Sequence, residues 1–212
     1  MLRIVLVQPG STDFDDQGRI KGSLDIPLSA NGTGQVARIV AELAEEPIEA
    51  VYASACESAL QTAQALALDR RLKVKSVPKL KNLNYGLWHG KLIEELRQNQ
   101  PKIYRHWREN PELACPPEGE SIAAARERAQ LAIAKILRKH RQGMIALVIP
   151  EPLASVVRGI LLNNELDDLW QAETDVGGWT LIELEEGAMP VNDASHGGAS
   201  HGRAGERPAQ TS

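Results

Sequence analysis

Short unbroken apolar runs, separated by stretches of helical period, constrain this chain more than any other feature. Ile4–Val7 is four aliphatic residues in a row, the pattern of a strand buried on both faces of a parallel sheet. Ser29 can cap a helix running to about Ala44, with Val36, Ile39, Val40 and Leu43 on one face. Ala50–Ala53 then predicts a strand, Glu57–Leu68 a helix, and Leu72–Val77 a strand ending at Pro78. Lys79–Gly90 reads as a loop, and Ile93–Asn99 with Lys102–Glu109 as helices of a lid-like insertion. Ser121 opens a long helix to about His140, broken near Gly143. Met144–Ile149, Leu153–Asn163 and Trp179–Leu184 follow as strand, helix and last strand. Such alternation predicts the α/β class: a three-layer sandwich, its mostly parallel sheet covered by helices on both faces. No repeat or linker divides residues 1–186, which read as one domain.

Residues 187–212 break the pattern. They are rich in Gly, Ala, Ser and Pro and hold no apolar run, so they cannot bury enough surface to offset their ordering entropy. A disordered tail is expected there. Elsewhere the 42% apolar content is ample for a core, and the 4% aromatic content makes aliphatic packing dominant. A net charge of −4 argues against a general nucleic-acid or anionic-membrane partner. No stretch is long and apolar enough to span a bilayer, and the first residues lead straight into a strand, so no signal peptide is expected. Cys56 and Cys115 are the two cysteines, without metal-like spacing. A reducing cytoplasm, with no metal and no cofactor, is the expectation.

Several motifs share one order. Val7-Gln8-Pro9-Gly10-Ser11-Thr12 follows the first strand. Gly18-Arg19-Ile20-Lys21-Gly22 precedes Asp25-Ile26-Pro27-Leu28-Ser29 and Gly32. Ser54 through Ala63, Leu80 through Gly90, Pro117-Glu118-Gly119-Glu120-Ser121 and Ile145 through Val157 complete the series. Taken together over roughly residues 2–185, this run resembles the histidine phosphatase superfamily, the phosphoglycerate-mutase-like proteins. The resemblance implies that fold and a phosphomonoester hydrolase or mutase ancestry.

The resemblance also implies what is missing. The family's first Arg falls on Gln8 and its nucleophilic His on Pro9. The Arg of the second segment falls on Ser58, the proton-donating Glu on Asn82, and the second His on Pro150, with Glu151 after it. A phosphate-facing Asn falls on Asp15. Gly10, Gln61-Thr62-Ala63, Gly86, Trp88 and Gly90 match the scaffold. Phosphoryl transfer of this kind needs a neutral imidazole nucleophile, a general acid, and cations around a dianion. Proline has no side-chain nitrogen, and asparagine is not a general acid. Losing four charged partners, at about 1.5–3 kcal/mol each, removes about 6 kcal/mol or more of phosphate binding.

No catalytic residue is therefore expected. The pocket candidates are Gln8, Gly10, Asp15, Arg19, Lys21, Ser58, Asn82 and Glu151. The expected function is a catalytically inactive histidine-phosphatase-like protein, a pseudophosphatase acting as a binding or regulatory module. The alternative is an active phosphatase or mutase using relocated residues, with Glu151, Asp15 or His89 in new roles. A third reading is binding of a neutral or cationic small molecule; the partner itself is open, with nucleic acid and membrane not expected. Arg19 and Lys21 are weighed as the last cations at the pocket mouth, and otherwise as surface charges. His89 is read as an exposed residue of its turn, His106 and His140 as solvated, Trp88 and Trp107 as packing residues. Glu151 is read as capping the helix that follows, and Arg158 as a helix-surface residue that could instead fold back toward the pocket. Ser195-His196-Gly197-Gly198 imitates the second-His motif, but it and His201 lie in the tail, outside the strand-to-helix context that gives the motif meaning.

Overall fold

A computed structural model describes residues 1–109, 115–164, 166 and 176–185. The chain runs β1 (Leu2–Val7), α1 (Asp13–Asp16), α2 (Ala30–Glu42), β2 (Ile48–Ser54), α3 (Glu57–Leu68) and β3 (Val74–Val77). Two 3-10 turns, Pro78–Leu80 and Gly86–Trp88, lead to α4 (Ile93–Asn99) and α5 (Pro101–Glu109). The rest comprises α6 (Ile122–Leu137), β4 (Gly143–Val148), α7 (Leu153–Leu162) and β5 (Trp179–Leu184). The sheet order is β3-β2-β4-β1-β5. All neighbours are parallel except β5, which lies antiparallel to β1.

The aliphatic runs explain the layers. Side chains alternate across a strand, so one run feeds both faces of the sheet. Val5, Val7, Val51, Ala53, Met144, Ala146 and Val148 pack with Ile39 and Leu43 of the α2 segment and Ala59, Ala63 and Leu66 of α3. Ile4, Leu6, Tyr52, Ile145 and Leu147 pack on the other face against Ile122, Ala129 and Ile133 of α6 and Val156 and Ile160 of α7. The sheet is thus buried on both sides, as continuous apolar strands require.

Several details depart from expectation. α1 is a short helix where no element was expected. Thr12 and Asp15 form a reciprocal capping box around it, and the four-residue spacing that encodes such a box is visible in the sequence. Residues 79–90 are the expected loop, with the two 3-10 turns at Pro78–Leu80 and Gly86–Trp88, but Leu80, Leu83, Tyr85 and Trp88 bury it in the core that α6 and α7 cover. Gly86 has a positive φ of 50°, and a Cβ there would overlap the backbone of residues 117–119, so glycine is required. Trp88 packs as expected. His89 is not exposed: its Nε2 accepts the Tyr85 N–H at 3.2 Å. His140 is not simply solvated, since its Nε2 and the Tyr52 hydroxyl are 2.9 Å apart. The tail at 187–212 with His196 and His201, and the side chains of His106 and Trp107, lie outside the described residues. No helix among the described residues is long and apolar enough to cross a membrane.

Candidate functional site

Parallel strands bring three of the motif-bearing loops to one end of the sheet. β4 lies between β1 and β2, and the Ile149 N–H to Val7 carbonyl bond of 2.9 Å extends the β1–β4 ladder past the strand ends. Gln8 and Glu151 therefore emerge side by side. Ligands of open α/β sheets bind at such carboxyl ends.

Gln8 and Glu151 are both buried, at 8% and 4% exposure. Gln8 Nε2 donates to Glu151 Oε1 at 3.2 Å. Glu151 Oε2 accepts the Ser155 N–H at 2.9 Å, so the carboxyl caps the first turn of α7, the role read for it from sequence. Asn82 closes the same knot from the 78–90 segment. Its Nδ2 donates to the Glu151 carbonyl at 2.7 Å, and its Oδ1 accepts the Leu153 N–H at 3.4 Å. Burial pushes the Glu151 carboxyl above its ordinary value. The Ser155 and Gln8 bonds and the Arg158 charge oppose that rise. Arg158 is thus no mere surface residue: its Nη2 donates to Ser155 Oγ at 3.4 Å and its charge reaches Glu151.

The remaining candidates take other places. Gly10 donates its N–H to Thr62 Oγ1 at 3.3 Å, and Thr62 donates to the Ser58 carbonyl at 2.8 Å. A Cβ on Gly10 would overlap the Gly32 backbone, which ties this loop to the start of α2. Ser58 is buried in the first turn of α3, its hydroxyl 3.9 Å from Cys56 Sγ. Asp15 and Lys21 form a buried ion pair: Lys21 Nζ donates to Asp15 Oδ1 and Oδ2 at 2.7 and 2.8 Å. Asp15 also accepts the Thr12 N–H and hydroxyl at 2.7 and 2.8 Å. Lys21 is therefore not an open cation at a pocket mouth, because Asp15 neutralises it. Arg19 is likewise engaged, with Nη1 on the Gly90 carbonyl at 2.7 Å and Nε on Gln17 Oε1 at 3.0 Å.

A cavity of about 630 Å³ opens beside Asn82, lined by Ser23, Lys81, Asn84, Ser121 and Arg128 among others. Glu120, from the turn before α6, forms an ion pair with Arg128 at 2.6 Å on that rim. The Ser54 hydroxyl, at the end of β2, is the one buried side-chain polar atom without a hydrogen-bond partner among the described residues. No group of three or more His, Cys, Asp or Glu among those residues could hold a metal ion.

The arrangement is a closed, hydrogen-bonded plug at the strand ends. Its titratable group is a carboxyl already accepting two donors. His89 sits in the 78–90 segment with its ring nitrogen occupied, and burial, ahead of other causes, lowers its proton affinity. The Gln8–Glu151 contact was absent from the sequence reading, since nothing local in either loop announces a bond across 143 positions.

A family model for the histidine phosphatase superfamily (branch 1) matches residues 4–194. Phosphoserine phosphatase 1 of Hydrogenobacter thermophilus is 26% identical over 186 residues, covering 88% of each chain. The adenosylcobalamin/alpha-ribazole phosphatase of Escherichia coli is 25% identical over 185 residues, which is 87% of this chain and 91% of that one. Among solved structures, Bacillus stearothermophilus YhfR superposes with a TM-score of 0.77 at 25% identity, covering 88% of this chain and 93% of that one.

Proposed function

That the chain belongs to the histidine phosphatase superfamily is the premise from which we propose its function: a binding or regulatory module that keeps the family's fold without its phosphoryl transfer. One observation carries this reading. Where the strand ends meet, Gln8 and Asn82 both donate hydrogen bonds to Glu151, and by the resemblance Gln8, Glu151 and Asn82 stand at or beside the positions of the first Arg, the second His and the acid. Both side-chain amide donors of that knot, Gln8 Nε2 and Asn82 Nδ2, point at the carboxyl or backbone of residue 151, not at an open anion site. A phosphate dianion entering there would face a buried carboxyl and surrender its hydration beside Arg158, whose charge already acts on Glu151. The relatives' names concern phosphate esters; a ligand of this chain is proposed to be a small molecule without a phosphoryl group. The adjoining cavity at Asn82, with Ser23, Asn84 and Ser121 among its polar lining, gives it room.

Thermal-shift titration tests the reading. Binding at 100 times the dissociation constant adds about 2.7 kcal/mol, or about 5–10 °C for a domain of this size. Millimolar phosphate, sulfate or orthovanadate is expected to leave Tm unchanged. A rise of several degrees with vanadate, abolished by Arg158→Ala, would show an anion site in the cleft and overturn the proposal.

A further inference from the structure

The chain's charge is divided unevenly. Positions 70–81 hold Arg70, Arg71, Lys73, Lys75, Lys79 and Lys81 and no acid, and positions 135–141 hold Lys135, Arg138, Lys139 and Arg141 and no acid. Ten of the 24 Lys and Arg thus fall in two short stretches. The rest of the chain keeps fourteen cations against all 28 acids.

The fold lays these stretches side by side. At one end, Lys75 Nζ lies 3.5 Å from the Tyr52 hydroxyl and 5.0 Å above the Tyr52 ring, and His140 Nε2 is 2.9 Å from that hydroxyl. At the other, Arg128 of α6 donates to the Lys79 carbonyl at 2.7 Å. The β3 segment and its following turn therefore run along α6, with Lys81 at the cavity rim and Arg141 at the far end. Arg71, Lys73, Lys75, Lys79, Lys81, Lys135, Arg138, Lys139 and Arg141 are exposed. Lys75 and Lys139 also disfavour a proton on His140, after burial, as cations crowded together must. The acids bordering the stripe are few. Glu49 faces His140 and Gly143, Asp69 precedes the first stretch, Glu127 lies on α6, and Glu120 is paired with Arg128. β3 is the last strand of the sheet, so its outer edge is also free of a strand partner among the described residues.

We propose that this stripe, from Lys81 along β3 and the end of α6 to Arg141, docks a short acidic segment of a partner protein. The remainder of the chain decides the length of that partner. A nucleic-acid duplex carries a charge every 1.7 Å and extends beyond the stripe, where it meets a surface on which acids outnumber cations. A short acidic segment takes the attraction and ends before the repulsion begins. Exposed lysines on an edge strand also guard against strand-to-strand association, but that duty needs only Lys75. It does not account for the cations at the end of α6. The inference goes beyond the reading of the strand-end plug and does not depend on it.

Fluorescence anisotropy with labelled decaglutamate and the full chain, at low salt, tests the docking. Binding is expected to weaken at least tenfold in the triple variant Lys73→Glu, Lys75→Glu, Lys139→Glu. The triple Lys79→Glu, Arg138→Glu, Arg141→Glu avoids the Lys75 contact with Tyr52 and should weaken binding to the same degree. The control triple Lys91→Glu, Lys102→Glu, Arg105→Glu changes the net charge equally and should stay within threefold of the parent. Equal loss in control and stripe variants would reduce the effect to overall charge and overturn the proposal. So would tighter binding of a 20-base-pair duplex or of phosphatidylserine vesicles than of the peptide, or no peptide binding by the parent.

Discussion

Glu151→Ala removes the acceptor on which the strand-end plug depends. Glu151 is 4% exposed, takes the Gln8 amide on one oxygen at 3.2 Å and the Ser155 N–H on the other at 2.9 Å. Alanine leaves both donors buried without a partner. Each orphaned group costs about 1–3 kcal/mol, and removing a desolvated carboxyl returns part of that. The net loss is expected near 2–4 kcal/mol, a fall in Tm of about 4–16 °C. Glu151→Gln should behave differently. Its oxygen can accept from Ser155 while its nitrogen donates to Gln8 Oε1, once the Gln8 amide turns over, so the knot stays closed. The pH dependence follows from burial, which raises the folded-state carboxyl value. Glu151 contributes its full stability below the ordinary carboxylate range and loses it as pH rises through the folded-state value. Glutamine has no such loss. The Tm of Glu151→Gln minus that of the parent should therefore grow more positive from about pH 4 to about pH 8. Melting curves by circular dichroism across that range measure it. A Glu151→Ala variant melting within about 1 °C of the parent, or a difference for Glu151→Gln that is flat or falls with pH, would refute the reasoning.

Three further outcomes are expected. Lys21→Met should destabilise by about 3 kcal/mol because it strands the buried Asp15 carboxylate, and adding Asp15→Asn should recover most of the loss; denaturant titration of the four-membered cycle reads it. Gly10→Ala should cost about 2 kcal/mol or more through its overlap with the Gly32 backbone, again by denaturant midpoint. Gln8→Arg with Pro9→His should give no turnover of p-nitrophenyl phosphate, since groups that act as a unit do not return singly, while Ser58, Asn82 and Pro150 remain.

The layers of the fold were legible because each buried strand is an aliphatic run and the two longest helices, α2 and α6, begin at a serine cap. Ser29 accepts the Gly32 N–H at 3.0 Å and Ser121 the Ala124 N–H at 3.2 Å, where they were expected to cap. Glu151 as a helix cap was legible for the same reason, since it stands just ahead of an apolar helix. What failed were readings that depend on a distant partner. Lys21 could be weighed only as a pocket-mouth cation or a surface charge, because its partner Asp15 shares no helix face with it in sequence. His89 and His140 looked solvated because Tyr85 and Tyr52, which engage them, are placed by other turns and strands. Arg158 could be weighed toward the pocket or the surface, and its charge on Glu151 shows only once the strand end carrying Glu151 is set beside its helix. Residues 79–90 read rightly as a loop, but its burial was not legible, because Leu80, Leu83, Tyr85 and Trp88 follow neither the period of a strand nor that of a helix.

By the function proposed, this member of the superfamily is expected not to turn over phosphate esters. Steady-state assay of p-nitrophenyl phosphate and O-phosphoserine, from acid to neutral pH, tests it most directly, with Glu151→Gln and His89→Ala purified and assayed in parallel. The account predicts release of phosphate no faster than in buffer for all three proteins. Turnover that follows the parent through successive purification steps and vanishes in either variant would contradict it, and would place the chemistry on the residue whose replacement abolishes it.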